Sequence, residues 1–334
     1  MYSDDSTPIV EWLADAQPEI AAQCITRSGA AIAEATRERL RDKWLPRLAD
    51  VQREREPQAR AAIGRALGQT GLDTRLVTAD GLPIIEGVLI PGGAFKYGDD
   101  KAEYAAKPQT LTLPDFRISR FPVTAAQYQC FINDGAYGDA RWWEGLAAKE
   151  DERQPREQAF KFDNHPRETV NWYEAMAFCR WLSWRWDGGY DLKKIDEWKV
   201  RLPTEFEWEK AARGTDGRLY PYGNDYDTAK GNTERSIGQT SAVGIYPNGA
   251  SPYGVEEMSG NVWEWCLSDY QKPQLEARKE KLTTTESRVL RGGAWFDSDY
   301  NARAVDRNYG PPGSRDGSTG FRLVVARPPS SSGH

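Results

Sequence analysis

The sequence changes character near Gly81, and this change favours a chain built from two parts. Residues 1–76 carry apolar side chains at helical spacing and lack Gly-rich turns. After Gly81, short β-type runs are broken by Gly, Pro, Asn and Asp. We therefore expect a helical segment over residues 1–76, a second domain over residues 80–327 and a disordered tail over residues 328–334.

Three helices are predicted within the second domain because three capping boxes occur there. In a capping box, a Thr or Asn side chain and a Glu or Gln three residues later each accept a hydrogen bond from the other residue's backbone N–H. The pairs are Thr124 with Gln127, Asn171 with Glu174, and Thr204 with Glu207. Short strands, these helices and many polar loops together indicate an α+β domain.

Charge and hydropathy argue against several classes of partner. The net charge is −6 and the isoelectric point is about 5.3, which gives no broad attraction to phosphate backbones. Nucleic acid is therefore not an expected partner. No apolar run approaches the length of a membrane span, and Met1 is not followed by a basic and then apolar leader. We expect a cytoplasmic protein without a membrane span.

Side chains that bind transition metals are scarce. The histidines are His165 and His334, and two imidazoles cannot build a histidine-rich metal centre. The four cysteines lie in unrelated segments without a CxxC pair, which is typical of reduced and largely buried thiols rather than a disulfide scaffold. They are Cys24, Cys130, Cys179 and Cys266.

Seven segments of the second domain occur in an order that is found in a known family. They are IPGGAFKYGDD (90–100), FRISRFPVTAAQYQCFI (116–132), HPRETVNWYEAMAFCRWLS (165–183), RLPTEFEWEKAAR (201–213), YGVEEMSGNVWEWC (253–266), RVLRGGAW (288–295) and GFRLV (320–324). Over about residues 80–327 the chain resembles the formylglycine-generating-enzyme, or sulfatase-modifying-factor, domain. This resemblance implies a C-type lectin fold with a small twisted antiparallel sheet, flanking helices and much irregular loop.

The resemblance also implies where metal ligands would stand in the enzymes of this family. The oxidases hold copper with two thiolates just after the RGG-x-aromatic motif, and here RGGAW is followed by FDSDYNA, without cysteine. The ergothioneine-type sulfoxide synthases bind iron through an HxxxH-type motif in a helical domain, and residues 1–76 contain no histidine. Since Cu(I) prefers thiolates and such an iron site needs imidazoles, we expect no copper, no iron and no enzymatic activity.

A third branch of the family is similar in the segment after RGGAW. It comprises the variable proteins of diversity-generating retroelements, which use this loop for ligand binding. Their diversification does not produce Lys, Glu, Gln, Met or Trp at Asn-type codons, and residues 296–324 contain none of the five. A Gly- and Asp-rich loop that avoids long side chains for structural reasons would show the same absence.

These observations lead to the hypothesis of a non-catalytic protein that displays a variable C-terminal surface to a macromolecular ligand, most simply a protein. Aromatic side chains offer area with few torsions, and short polar groups meet a partner's donors. The predicted contact residues are Phe296, Asp297, Ser298, Asp299, Tyr300, Asp306, Tyr309, Gly310, Ser314, Asp316, Gly317, Ser318 and Thr319. The N-terminal helices would dock a partner or an upstream module. Two alternatives are a formylglycine-generating or related non-haem metal oxidase, and a structural paralogue without a ligand.

One calcium site is also implied by the resemblance. In the family, calcium lies beside the GNVWEW strand, and the matching ligands here are Glu257, the carbonyls of Gly260 and Val262, and Glu264. Such hard oxygen ligands suit Ca²⁺. The alternative is that Glu264 pairs with an arginine.

Overall fold

A computed structural model describes residues 7–27, 32–100, 104–186 and 200–325. The predicted tail over residues 328–334, which includes His334, lies outside these ranges. Seven α-helices and ten β-strands are formed within them. The first four helices belong to the N-terminal segment, as expected, and they are α1 (Thr7–Ala16), α2 (Pro18–Arg27), α3 (Glu34–Trp44) and α4 (Pro57–Thr70).

Helix α4 connects the N-terminal segment to the rest of the molecule. It has Pro57 in its first turn and ends at Gly71, whose φ of 65° is left-handed, so its boundaries follow the usual proline and glycine preferences. One apolar cluster contains side chains of all four helices together with residues 242, 245 and 246 of the second domain. The buried Arg60 donates from Nε to the carbonyl of Ile245 at 2.6 Å. The helical segment and the second domain therefore share a core.

The second domain contains two four-stranded sheets and a hairpin. The first sheet has the order β1-β4-β10-β5 and is antiparallel throughout, and the second has the order β8-β7-β6-β9, with β6 and β9 parallel. The hairpin joins β2 to β3. The strands are β1 (Gly87–Ile90), β2 (Gly93–Tyr97), β3 (Gln109–Leu113), β4 (Phe116–Ser119), β5 (Val200–Arg201), β6 (Trp263–Asp269), β7 (Arg288–Arg291), β8 (Asn308–Gly310), β9 (Thr319–Phe321) and β10 (Val324–Val325). The predicted α+β fold with small sheets and much loop is confirmed.

The three predicted capping boxes are present, and each precedes a helix. The helices are α5 (Ala125–Asn133), α6 (Trp172–Trp186) and α7 (Glu205–Arg213). In the box before α6, Asn171 and Glu174 exchange two backbone-to-side-chain hydrogen bonds of 2.8 Å. The boxes before α5 and α7 are formed in the same reciprocal manner. Local hydrogen bonding thus sets the start of each of these three helices.

The core of the second domain lies around α6 and α7 and is rich in tryptophan. Trp172 donates from Nε1 to the carbonyl of Cys266, and Trp265 donates to the carbonyl of Val170, both at 2.9 Å. These bonds satisfy indole groups that are almost fully buried. The four cysteines are free thiols, and Cys179 is buried within α6, as expected.

The close packing of α4 predicts that Gly64 cannot carry a large side chain. A Cβ at Gly64 would lie 2.5 Å from the Cβ of Ala242. We expect Gly64→Val to lower the free energy of unfolding by about 1–3 kcal/mol, because overpacking forces the helix away from the second domain. Urea denaturation measures this loss. Ala62→Val, at a half-exposed position of the same helix, is the control, and an equal loss in both variants would contradict the packing argument.

Candidate functional site

The C-terminal loop leaves the second sheet at two glycines. Strand β7 ends at Arg291, the first residue of the RGGAW motif. Gly292 and Gly293 have φ values of 98° and 75°, which side chains rarely adopt. A Cβ at Gly293 would also lie 2.8 Å from the carbonyl oxygen of Asn301. The two glycines therefore allow the chain to leave the sheet and to pass close to the backbone of Asn301.

Arginines hold this loop and its continuation in place by pairing with buried carboxylates. Arg307 donates to both carboxylate oxygens of Glu205 at 2.6 and 2.9 Å. Arg291 donates to the backbone carbonyl of Ala304 at 2.8 Å. A bidentate guanidinium–carboxylate pair fixes orientation as well as distance. The pair of Arg307 and Glu205 is of this kind, whereas Arg291 with Glu209 and Arg315 with Glu174 each share one hydrogen bond. The backbone of the predicted contact region is thus anchored to α6 and α7.

The predicted contact residues differ in how much of them reaches the surface. The exposed ones are Phe296, Ser298, Tyr309, Ser314 and Asp316, and the partly exposed ones are Asp297, Asp299, Tyr300 and Gly317. The buried ones are Asp306, Gly310, Ser318 and Thr319. The exposed fraction is 38% for Phe296 and 55% for Tyr309, which is large for aromatic side chains.

The four buried residues support the loop from inside. Asp306 accepts a hydrogen bond from Nδ2 of Asn301 at 3.0 Å, and burial raises the pKa of its carboxyl. The carbonyl of Ser318 accepts from the backbone N–H of Trp263 at 2.7 Å. Thr319 belongs to β9 and Gly310 to β8. In this conformation these four buried residues are not accessible to a ligand.

The exposed residues form two regions with different neighbours. Phe296 packs edge-on against Trp295, with ring centres 5.2 Å apart, and Trp295 in turn packs against Phe160 at 5.7 Å. A Cβ at Gly317 would lie 3.2 Å from the Cβ of Ala159, next to Phe160. One continuous surface is therefore formed, which we call the Phe296 patch. It comprises Ala159, Phe160, Trp295, Phe296 and Gly317.

Tyr309 belongs to the second region. Its ring lies against that of Tyr270, with centres 4.6 Å apart, and the guanidinium of Arg307 covers Tyr270 at 4.7 Å. Sequence reasoning missed Tyr270 and the exposed Asn308, which precedes Tyr309. Asn308 lies inside the segment already singled out, whereas Tyr270 follows β6 and no local signal connects it with Tyr309.

The residues of the predicted calcium site are engaged with other groups. Glu264 accepts two hydrogen bonds from Arg322, at 2.6 and 2.8 Å, and one from the indole of Trp208 at 2.6 Å. Its pairing with an arginine, the alternative expected from the sequence, is therefore present. Glu257 accepts hydrogen bonds from the backbone N–H of Gly244 at 2.7 Å and from Asn261 at 2.9 Å.

One of the two carbonyls of the predicted calcium site is also engaged with another group. The carbonyl of Gly260 accepts from the backbone N–H of Val262 at 3.0 Å. Calcium binding at these positions would require the guanidinium of Arg322 to leave Glu264, and it stays a prediction.

The side chains present do not fit the metal sites of the family. Among the described residues, no group of three or more His, Cys, Asp or Glu is arranged to hold a metal ion. His165 is buried, with Nδ1 2.9 Å from the hydroxyl of Thr240, and burial lowers the pKa of its imidazole to about 3. Burial raises the pKa of the thiols of Cys130, Cys179 and Cys266. These groups form neither a site with two thiolates nor one with three imidazoles.

Comparison with known proteins establishes the relationship that the motifs suggest. Residues 75–327 match the model of the FGE-sulfatase family, the sulfatase-modifying factor enzyme 1-like domain. The chain belongs to the FGE-sulfatase family. The structure also resembles that of Treponema denticola variable protein 1, with a TM-score of 0.55 and 23% identity over 72% of this chain and 95% of that one. The C-type-lectin-like fold of the FGE type is thereby confirmed.

The curated relatives in this family include enzymes. The chain is 32% identical to hercynine oxygenase from Mycolicibacterium smegmatis over 302 residues, covering 79% of this chain and 67% of that enzyme. It spans 53% of the length of the Mycobacterium tuberculosis hercynine oxygenase. It is also 28% identical to the inactive C-alpha-formylglycine-generating enzyme 2 of Bos taurus, covering 72% of this chain and 89% of that protein.

The expectation that the protein is not an enzyme is therefore wrong, because the oxygenase relationship extends over most of the chain. That expectation rested on missing metal ligands. The absence of the copper and iron ligands concerns those metal sites alone. It does not decide whether the protein is an enzyme. In the ranges described, no helix has the length and apolar character needed to cross a membrane.

The buried pair of Glu264 and Arg322 predicts a large effect of a small change. Glu264→Gln removes the charge and leaves Arg322 buried with an unbalanced guanidinium. We expect a loss of about 3–5 kcal/mol in the free energy of unfolding, measured by urea denaturation. Glu276→Gln breaks an exposed pair with Arg278 and should leave the free energy of unfolding nearly unchanged, because water and salt screen exposed pairs. Similar losses in the two variants would be incompatible with this role.

Burial of Glu257 predicts a specific pH dependence of stability. Burial raises the pKa of this carboxyl from an ordinary value of 4.5 to about 8. Between these values the folded protein holds a proton that the unfolded chain has released, so stability falls as the pH rises. Glu257→Gln, which cannot titrate, should flatten the fall in thermal unfolding temperature across this interval of pH. The exposed Glu234→Gln is the control, and an unchanged pH profile in Glu257→Gln would refute the assignment.

Proposed function

We propose that the protein takes part in an enzymatic reaction of the FGE-sulfatase family and that its Phe296 patch binds the polypeptide on which this reaction acts. Hercynine oxygenases are related to this chain over most of its length, which supports an enzymatic role. The family is named after an enzyme that modifies sulfatases, which are proteins, and this supports a polypeptide as the substrate. The single observation that carries the proposal is an exposed aromatic patch on a backbone fixed by buried ion pairs.

The support of the patch favours binding with little loss of entropy. Phe296 follows a turn in which the backbone N–H of Ala294 donates to the carboxylate of Asp297 at 2.9 Å. The carbonyls of Trp295 and Asp297 accept from the backbone N–H groups of residues 235 and 234, both at 2.8 Å. A loop that is already held in place does not have to be ordered on binding. An aromatic side chain on such a loop is well suited to anchor a partner.

The form of the surface favours a polypeptide over a small molecule. Small-molecule sites are concave and enclose most of their ligand. The side chains of Phe296 and Tyr309 are instead exposed to solvent. Short polar groups such as Ser298 and Asp316 are exposed in the same loops. They can meet the backbone N–H groups of an extended peptide.

Recognition, rather than oxygen activation, is the contribution that we assign to the residues of this chain. A family copper or iron site would supply oxygen activation, but the described side chains do not fit either site. The residues of the patch hold the polypeptide, and a metal would have to be bound by donors other than two thiolates or three imidazoles.

The recognition step is tested by selecting peptides from a displayed random library on the wild-type protein. We expect Phe296→Ala to weaken the binding of selected peptides by about 30-fold, the effect of losing a central aromatic anchor. Trp12→Ala is the matched control because Trp12 is 78% exposed on α1, far from the patch in sequence. Binding is measured by biolayer interferometry. Equal affinity of Phe296→Ala and wild type would exclude the Phe296 patch as the binding surface.

The enzymatic part is tested on the same peptides. Each is incubated with the protein and oxygen in the presence of Cu(I) or Fe(II), and mass spectrometry detects oxidised residues. Oxidation that Phe296→Ala suppresses supports the proposal. Tight binding without oxidation by either metal would remove the enzymatic part and leave a binding protein.

A further inference from the structure

A cavity of about 560 Å³ lies between the helical segment and the second domain. Its helical side is a short 3-10 helix, Pro46–Ala49, and its other walls come from residues 75–86, 119–127 and 243–256. The walls are mainly apolar and include Leu48, Ile84 and Phe121. A volume of this size fits a small organic ligand. The cavity lies apart from the C-terminal loops, because none of residues 292–319 lines it.

Glu256 is the unusual group in this cavity. Its side chain is only 3% exposed, and its Oε1 accepts a hydrogen bond from Nε of Arg120 at 2.9 Å and lies 2.6 Å from Nη2 of the same ion pair. Its Oε2 is buried and has no hydrogen-bond partner in the structure. A buried acceptor without a donor costs about 1–3 kcal/mol. Burial also raises the pKa of this carboxyl, although Arg120 lowers it.

The other polar groups of the cavity already have partners. Arg120 also pairs with Glu86 at 3.1 Å. Arg75 pairs with Asp73 at 2.6 Å. Gln127 donates to the carbonyl of Ile84 and accepts from the backbone N–H of Thr124. Both guanidinium groups are thus neutralised, so a ligand anion would have to displace a carboxylate. A ligand donor, by contrast, finds an acceptor without a partner in Oε2 of Glu256.

We propose that this cavity binds a small amphipathic amine whose ammonium group donates to Oε2 of Glu256 and whose hydrocarbon part packs between Leu48 and Phe121. The charge of the ammonium offsets that of a carboxylate shared with one arginine. Apolar walls bury the hydrocarbon part. Such a ligand contacts the helical segment and the second domain at once, so it stabilises their association. This site is independent of the Phe296 patch.

The probe that tests the proposal is n-hexylamine, compared with hexan-1-ol and hexanoate, which share its chain length. Titration is followed by calorimetry on the full chain. We expect hexylamine to bind more tightly than hexanol and hexanoate to bind weakest. Glu256→Gln should weaken hexylamine binding by about tenfold, as expected for a charge-assisted hydrogen bond. Glu234→Gln is the matched control, because it removes an exposed carboxylate that does not line the cavity, and it should leave hexylamine binding unchanged.

A second variant keeps the test decisive if Glu256→Gln does not fold. Ala49→Trp fills the cavity from its exposed helical side without altering Glu256 and should abolish binding of both hexylamine and hexanol. Thermal unfolding establishes that each variant is folded. The proposal is overturned if hexylamine does not bind, if it binds no better than hexanol, or if Ala49→Trp binds it as wild type does. Failure here leaves peptide binding at the Phe296 patch unaffected.

Discussion

The buried pair of Arg322 and Glu264 is the interaction on which the arrangement of the second domain depends. Glu264 lies in β6, and Arg322 lies between β9 and β10. Arg322 also donates to the carbonyls of Ser119 and Arg120, at the end of β4, and to those of residues 256 and 257. One guanidinium therefore joins both sheets to the loop that precedes β6. Desolvation makes such a group costly unless every donor is used, and here the fold supplies the acceptors.

The same principle fixes the C-terminal surface. Arginines of the C-terminal segment reach inward to carboxylates at the starts of α6 and α7, as in Arg307 with Glu205 and Arg315 with Glu174. Exposed side chains of this segment, such as Phe296 and Tyr309, then lie on a backbone that is held by these pairs and by buried neighbours such as Asp306. Such a surface can change its exposed residues at little cost in stability. This separation between support and surface is what suits Phe296 and its neighbours to recognition.

Family membership changes how the missing metal ligands are understood. The absence of cysteine after RGGAW and of histidine from residues 1–76 is correct as a statement about donors. The step from missing donors to a protein without enzymatic activity was wrong, since oxygenases are related over 79% of the chain. A donor inventory describes what one chain can coordinate by itself. The relatives indicate a family that includes enzymes. The surfaces of this chain indicate what its own residues can bind.

Elements whose stabilising contacts are local could be predicted from the amino-acid sequence. Capping boxes at Thr124, Asn171 and Thr204 start three helices, and Pro57 and Gly71 bound α4, because those hydrogen bonds and torsions involve residues a few positions apart. The order of the motifs indicated the fold class.

Groups whose partners are distant in the chain could not be assigned before the packing of the segments was known. Glu264 could hold a cation or an arginine, and the choice depends on Arg322, 58 residues away. Distant segments also determine the burial of Asp306, the contact between the rings of Tyr270 and Tyr309, and the lack of a partner for Oε2 of Glu256. Burial and pairing are properties of the space around a side chain, and that space exists only after separate segments have packed together.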